Sequence, residues 1–260
     1  MPLQNRVTPD GSIIADAARG SLMGNRGGEM HDGSRRLTGR RWVSKAWIAC
    51  VLQYKGRHEV IMAPGHYTQL FFLDEATALA AGHRPCALCR RADWLRFMAG
   101  WQEVHGLATQ PKVADVDAVL QTERVGVDKC KETYTARLAD LPSGVMVSTD
   151  PASPPPLRGR NTVGGSALGD VASLFRTTPT LALPPQGGGD KWSREVSLTP
   201  AALYLNGALY PWTPSGYLPP IEAPTTVHVL TPRSIVAILA AGYAPMLHPT
   251  ARSMSAAKSV

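Results

Sequence analysis

Two cysteines about a third of the way along the chain have the spacing of a metal-binding turn, Cys86-Ala87-Leu88-Cys89. Thiolates at this spacing lie on a tight turn that presents both sulfur atoms to one ion, and structural Zn²⁺ takes four such ligands. Covalent haem attachment would need a histidine where the chain has Arg90, and a thioredoxin-type site should follow a strand and open a helix. The pattern therefore predicts half of a structural zinc site.

Basic residues cluster beside this turn and near the N-terminus. The chain has a formal net charge of +7; Arg84, Arg90 and Arg91 flank the cysteines, while Arg40 and Arg41 lie in a basic N-terminal segment. Such clusters favour an acidic partner, and nucleic acid is the commonest one. We therefore expect these arginines to contact phosphates of DNA or another nucleic acid. The alternative is a solvated basic face without a partner.

The elements before the cysteine turn must hold it in place. Residues 47–54 are rich in β-branched and aromatic side chains and predict a strand that carries Cys50. Asp74 is a typical helix N-cap, residues 75–81 predict the helix, and Gly82 is the left-handed residue that ends it. The end of this helix therefore delivers the backbone directly into the cysteine turn.

The sequence FFLDEATALAAGHRPCALCR at 71–90 resembles the C-terminal half of the Ada-type metal-binding domain, which is found in a methyl-phosphotriester repair protein. That domain has a strand, a helix that ends in A-G-[FY]-R-P-C-x-x-C, and four cysteines on zinc. The resemblance covers roughly residues 42–100. It implies that Cys86 and Cys89 form the second ligand pair and that Cys50 is the first cysteine of the first pair.

The fourth cysteine of that family has no equivalent in this chain. We expect His66, in a turn between two strand regions, to complete the Zn²⁺ site, and the alternatives are His83, His58, His31 and Cys130. A site with fewer than four thiolates is less anionic, so the methyl transfer of that family is not expected. The whole chain also resembles uncharacterised proteins of alpha-proteobacteria that share its MGNRGG and GHRPC sequences, which implies a bacterial protein.

The patterns along the chain predict an α+β fold, in which a small mixed zinc-knuckle-like domain is joined to a β-rich C-terminal region. The Asn206-Gly207 turn predicts a hairpin, and its natural partner is a strand at 145–147. Residues 150–192 are rich in Pro, Gly, Ser and Thr and predict a disordered insertion; the alternative is a Pro-rich recognition segment. The predicted segments are an irregular basic arm at 1–41, the Ada-like domain at 42–105, an α+β region at 106–149 and 193–251, the insertion, and a disordered tail at 252–260.

Several function classes lack support in the sequence. The chain has no secretory signal and no apolar run near the ~18 residues of a membrane helix, so we expect a cytoplasmic protein. It has no phosphate-binding glycine loop, Gly-x-Ser-x-Gly elbow or HExxH motif. The leading hypothesis is a zinc-stabilised module associated with nucleic acid.

Two further hypotheses stay open. One is a protein-interaction scaffold in which the metal is only structural. The other is an enzyme whose site lies between the N-terminal arm and the cysteine turn. The enzyme hypothesis requires these side chains to meet in one pocket: Asn25, Arg26, His31 and Asp32, with His66 or His83.

Overall fold

The computed structural model describes residues 1–56, 59–127, 129–148 and 200–256, and these residues form an α+β fold, as predicted. The predicted insertion at 150–192 lies outside them. The elements up to residue 124 are β1 Gln4–Val7, β2 Ile13–Ala15, β3 Leu22–Asn25, β4 Ile48–Cys50, β5 Leu70–Phe72, α1 Glu75–Ala80, β6 Arg84–Pro85, α2 Arg91–Val104 and α3 Val113–Arg124. Those that follow are β7 Tyr134–Arg137, β8 Val145–Ser148, β9 Ala201–Leu205, β10 Ala208–Thr213, β11 Gly216–Tyr217, β12 Thr226–Val229, α4 Arg233–Ala240 and α5 Pro249–Ala256.

The first sheet has the strand order β2-β1-β5-β3-β4-β6. Three of its strands come from residues 1–41, so the prediction of an irregular arm is wrong. These strands are only three or four residues long and lie among glycines and charged residues, which hides their alternation. In β3, Gly24 permits a close approach, because a Cβ atom there would lie 2.2 Å from the carbonyl oxygen of Ile48. The N-terminal segment thus contributes half of the strands of the sheet that carries Cys50.

The second sheet has the order β11-β10-β9-β8-β12-β7. Its β9–β10 hairpin turns at Asn206 and Gly207, whose φ angles of 49° and 76° match the twist of the strands. The predicted partner is also confirmed, since β8 pairs antiparallel with β9. The hairpin therefore continues a meander that the sequence separates by about 50 residues.

The helices follow their sequence signals closely. Helix α1 begins after Asp74, whose carboxylate accepts a hydrogen bond from the Thr77 backbone N–H at 2.9 Å, and the chain turns at Gly82 with a φ of +83°. Both features were predicted. The predicted disordered tail is wrong in part, because residues 252–256 belong to α5.

Helix α2 fixes the cysteine turn to the rest of the molecule. Its Trp94, Phe97 and Trp101 side chains are buried in a core cluster that also contains Val145 of β8 and Ile238 of α4. Because burial of such large aromatic side chains is a major source of stability, the N-terminus of α2 has little freedom to move. The cysteine turn lies directly before this N-terminus.

The N-terminus of α1 is held by polar contacts from the C-terminal residues. Asp74 accepts hydrogen bonds from the Tyr217 hydroxyl at 2.9 Å and the His248 N–H at 3.0 Å. Glu75 accepts from the Tyr243 hydroxyl at 2.6 Å and the Met246 N–H at 2.8 Å. The sequence explains these two acids by capping and the helix dipole, whereas the structure gives them a tertiary role as well.

Candidate metal centre

The site is built where β4 ends beside β6. Cys50 is the last residue of β4, which runs parallel to β6, and Ala49 is opposite Pro85 in the register. The backbone N–H of Cys86 then donates to the Ala49 carbonyl at 2.9 Å. This pairing places the first residue of the cysteine turn beside Cys50, although 36 residues separate them in sequence.

Three thiols come together at this point. The sulfur atoms of Cys50, Cys86 and Cys89 all lie within 4.8 Å of one another. Cys50 and Cys86 are buried, and Cys89 is half-buried at the solvent side of the group. Within the described part of the chain this is the one group of at least three histidine, cysteine or acidic side chains close enough to hold a metal ion.

The backbone of the turn favours a thiolate at Cys86. Its sulfur accepts hydrogen bonds from the Cys50 thiol and from the N–H groups of Leu88 and Cys89, and these lower the pKa of Cys86 to about 5. The same bond to Cys86, together with burial, raises the pKa of Cys50. Burial also raises the pKa of Cys89, against a hydrogen bond from the Val51 N–H. These contacts thus favour the thiolate form at Cys86 and the thiol form at Cys50 and Cys89.

This donor set suits a thiophilic ion. Soft thiolates bind zinc, copper(I) and iron in preference to magnesium or calcium, so the ligand types limit the class of metal without fixing which one. N–H groups directed at a cysteine sulfur also stabilise the charge that a metal-bound thiolate carries. The residues present therefore fit a bound ion, and the predicted ligands Cys50, Cys86 and Cys89 are together.

The structure does not bring His66 to these thiols. His66 is an exposed turn residue outside the cysteine group, and its backbone N–H donates to Ala63. Among the alternatives, His31 contacts the Thr68 hydroxyl at 2.7 Å and Cys130 is half-buried outside the group. His58 lies outside the described residues.

His83 is buried beside the helix end but does not belong to the metal group. Its ring packs against Trp47 and Phe72, with centroids 5.1 and 4.7 Å away, and its Nε2 atom accepts a hydrogen bond from Arg26 at 3.3 Å. Burial and the charge of Arg26 lower the pKa of His83 well below its ordinary value, so the ring is neutral. Its role is packing rather than metal ligation.

Two of the arginines predicted to contact phosphates are internal. Arg84 is 4 % exposed and forms a bidentate pair with Asp117, with nitrogen–oxygen distances of 2.7 and 2.8 Å. Arg90 is 6 % exposed and contacts Glu75 at 2.8 Å and Asp93 at 2.7 Å. Because their guanidinium groups already face carboxylates, the prediction of phosphate contacts is wrong for both.

The other three arginines are more accessible. Arg91 and Arg40 are exposed. Arg41 is half-buried, and its Nη1 atom donates to the Lys129 carbonyl at 3.0 Å. Arg40 and Arg91 are therefore accessible to solvent, whereas Arg84 and Arg90, the arginines nearest the cysteines on either side, are not.

The side chains of the enzyme hypothesis are dispersed. Arg26 reaches His83, but His31 contacts Thr68 elsewhere, Asn25 accepts from the Gly27 N–H, and Asp32 organises an exposed turn by accepting from Ser34 and Arg36. Asn25 and Asp32 thus have local structural roles. Their dispersion counts against a catalytic site made of this set.

The sequence did not reveal the carboxylates that pair with the buried Arg84 and Arg90. Asp117 looks like part of a polar helix face in the sequence, yet it is 5 % exposed because α3 turns it towards Arg84. The only sequence signal for its burial was its place on α3 next to the apolar residues Val116 and Leu120, which are buried. A carboxylate adjacent to such an apolar stripe is a candidate for a buried pair.

The redox alternative also changes with the structure. The cysteine turn follows β6 and precedes α2, which is the order of elements that a thioredoxin-type motif requires. The requirement that the sequence analysis named for such a site is therefore met. What distinguishes the site from an isolated cysteine pair is the third thiol, Cys50.

No protein-family model, curated protein or solved structure matches this chain. The likeness to the Ada-type domain therefore depends on the sequence at 71–90 and on the proximity of the three cysteines. Within the described residues no helix is both long and apolar enough to cross a membrane.

Proposed function

We propose that Cys50, Cys86 and Cys89 hold a Zn²⁺ ion that stabilises the junction between the first sheet and α2. The observation that carries this proposal is the convergence of three sulfur atoms within 4.8 Å from two separate segments. Three thiolates that bind one ion at these distances repel one another, and zinc compensates their charge without redox chemistry of its own.

The position of the site favours a structural role. Cys50 ends β4, whereas Cys86 and Cys89 precede α2, whose aromatic face lies in the main core. An ion bound to all three would join the sheet to that helix. Structural zinc takes four ligands, so the fourth place is left to a donor outside this group. A purely structural metal ion is also what the protein-interaction scaffold hypothesis requires.

Metal content of single-cysteine variants tests the proposal. Full-length protein purified without added chelator should contain one zinc ion by native mass spectrometry and elemental analysis. Cys50→Ser and Cys86→Ser should lose it, because each removes a ligand. Cys130→Ser is the matched control, as Cys130 lies outside the group, and should keep the ion. His66→Ala should also keep it.

Two results would overturn the proposal. One is a wild-type protein that binds no zinc after reduction and refolding with the ion in excess. The other is an equal loss of metal from Cys130→Ser and Cys86→Ser. Replacement by Co²⁺ adds a direct readout, because thiolate-to-cobalt absorption should be present in the wild type and reduced in Cys86→Ser.

A redox function is the second candidate, and the low pKa of Cys86 favours it. The Cys86 thiolate would attack a substrate disulfide, form a mixed disulfide and release one thiolate. The Cys89 thiolate would then displace the second one and close a Cys86–Cys89 disulfide, so two electrons pass to the substrate. Oxidised glutathione should form this bond in zinc-loaded protein if the function is redox. Resistance until a chelator is added would favour structural zinc.

The leading hypothesis from the sequence also included association with nucleic acid. We propose that Arg40, Arg41 and Arg91 contact the phosphates, without Arg84 and Arg90. Exposure of Arg40 and Arg91 supports it, since an accessible guanidinium can reach a phosphate. A fluorescent DNA duplex should bind at low ionic strength, and the combined substitution of Arg40 and Arg91 by alanine should reduce the salt dependence. Absence of salt-sensitive binding would exclude this function.

A further inference from the structure

A second site lies at the C-terminal end of α1, apart from the group of Cys50, Cys86 and Cys89. It is a cavity of about 20 Å³ next to Gly11, Ala81 and Val125. Among the described residues, the charged side chains that line it are strongly unbalanced: five are cationic and one is a carboxylate. They are Arg26, Arg41, Arg124, Lys129, Lys131 and Asp10.

Two of these cations are deeply buried beside Trp47. The guanidinium carbons of Arg26 and Arg124 lie 4.1 and 4.0 Å from the centroid of the Trp47 ring. Both residues are 2 % exposed. The negative face of an aromatic ring attracts cations, so Trp47 offsets part of the cost of burying two like charges near each other.

The remaining contacts of these arginines are to neutral groups. Arg26 donates to the Gly11 carbonyl at 2.8 Å, and Arg124 donates to the carbonyls of Gly82 at 2.7 Å and Lys45 at 2.6 Å. Backbone carbonyls carry only a fraction of a negative charge. The full positive charges of Arg26 and Arg124 are therefore matched only by the partial negative charges of these carbonyls.

Lys131 adds a third cation with the same kind of partner. Its Nζ atom donates to the Ala80 carbonyl at the end of α1. Within the described residues, the ion pairs at 4.0 Å or less include none made by Lys131, Arg26 or Arg124. The carboxylate of Asp10 accepts from Thr8 and Ser12 and attracts Arg26 and Lys131 at longer range.

This electrostatic imbalance affects all three cations. Burial lowers the pKa of Arg26 and Arg124 to about 9 and that of Lys131 to about 7. Repulsion within the group adds to this effect at Arg26 and Lys131, where Asp10 opposes it, whereas Asp117 opposes it at Arg124. The arginines remain charged at neutral pH. Buried charges without counter-ions are costly, and a bound anion would remove that cost.

We propose that this cavity binds a small oxyanion, with Arg26, Arg124 and Lys131 as its cationic wall. A volume of about 20 Å³ accommodates one water-sized atom, so one oxygen of a tetrahedral phosphate or sulfate would enter. Guanidinium groups match the oxygens of such anions, and Arg41 and the exposed Lys129 lie on the solvent side for the remaining oxygens. None of the cysteine ligands takes part, so the proposal is independent of the metal.

Calorimetry and thermal unfolding of the full chain test this site with inorganic phosphate and sulfate, against chloride at matched ionic strength. Phosphate should bind saturably and raise Tm more than chloride does. Lys131→Met should weaken phosphate binding about tenfold, which corresponds to about 1.4 kcal/mol. This variant removes a buried charge while keeping an apolar side chain of similar length, so its fold should persist.

Arg41→Ala provides a second variant on the solvent side, in case the buried substitution disturbs folding. Arg40→Ala is its matched control, because Arg40 is the adjacent arginine and does not line the cavity. Equal effects of the two alanine variants, or equal effects of phosphate and chloride, would overturn the proposal. A DNA duplex that displaces phosphate and loses affinity in Lys131→Met would overturn the assignment to a small free anion.

Discussion

The four buried arginines of the described residues fall into two pairs with opposite surroundings. Arg84 and Arg90, beside the cysteine turn, face carboxylates at 2.7–2.9 Å. Arg26 and Arg124, at the end of α1, face Trp47 and backbone carbonyls. The comparison shows that burial alone does not reveal the role of an arginine. The first pair is compensated within the protein, and only the second pair leaves charge available for an external ligand.

The largest expected effect comes from breaking the compensated pair. Asp117→Asn removes the charge opposite Arg84 and leaves a buried guanidinium without its counter-ion. We expect the free energy of unfolding to fall by about 3–5 kcal/mol, measured by urea denaturation. The double variant Arg84→Met/Asp117→Leu should recover much of this loss. A loss below 1 kcal/mol in Asp117→Asn would show that Arg84 does not depend on this carboxylate.

The second largest loss of stability is expected at Gly82, which leaves room for the Arg124 side chain at the end of α1. Gly82→Ala should cost about 2–4 kcal/mol, because a Cβ atom would meet the Arg124 Cδ at 2.5 Å and because φ is +83°. Gly242→Ala is the matched control: it follows α4, has a φ of +98° and would meet nothing within 4 Å. Its cost should be about 1–2 kcal/mol. Equal losses of unfolding free energy would mean that the contact with Arg124 is unimportant.

A pH-dependent effect separates the uncompensated site from the compensated one. The pKa of Lys131 is about 7 in the folded protein, against 10.5 for an unperturbed lysine. Between pH 7 and pH 10.5 this lysine is protonated in the unfolded chain and mostly neutral in the folded protein. The free energy of unfolding should therefore rise with pH above 7. Lys131 faces Asp10, Glu132, Arg26 and Arg124, and the arginines stay charged up to about pH 9.

Denaturation at pH 7 and pH 9 measures this contribution. Relative to Lys131→Met, the wild type should gain about 2 kcal/mol across the interval. Lys129→Met removes an exposed lysine from the same loop and should keep the wild-type slope. If Lys131→Met shows the same slope as the wild type, the lysine is not desolvated by the cavity.

The smallest effect is expected at the surface. Arg96 pairs with Asp93 like Arg90, but its side chain is 60 % exposed. Arg96→Ala should change the free energy of unfolding by no more than about 0.5 kcal/mol, because solvent screens an exposed pair. Arg90→Ala should cost more by leaving Glu75 buried without its cation. A similar loss in both variants would remove the distinction between buried and exposed partners.

The sequence predicts local features of this fold well. The Asp74 cap, the Gly82 stop, the Asn206-Gly207 hairpin and its β8 partner are all confirmed, because each depends on backbone preferences of a few adjacent residues. The three short N-terminal strands were not predicted. A strand of three or four residues has too few side chains to show alternation, and its pairing depends on distant segments.

The candidate metal site was half determined by the sequence. Spacing identified Cys86 and Cys89, and likeness to a known domain identified Cys50, which the structure places with them. The fourth ligand was not determined in this way. His66 and His31 belong to turns and strand connections whose positions no local pattern specifies, and the structure gives them other neighbours.

What the sequence determined by itself is therefore the cysteine turn and the helix that leads into it, since both follow from residue types at fixed short spacings. Only the tertiary structure decided what the arginines do. Arg84 meets Asp117 across 33 residues, and Arg26 meets His83 across 57. Charge is carried by individual residues, but its compensation depends on which segments pack together in the folded chain.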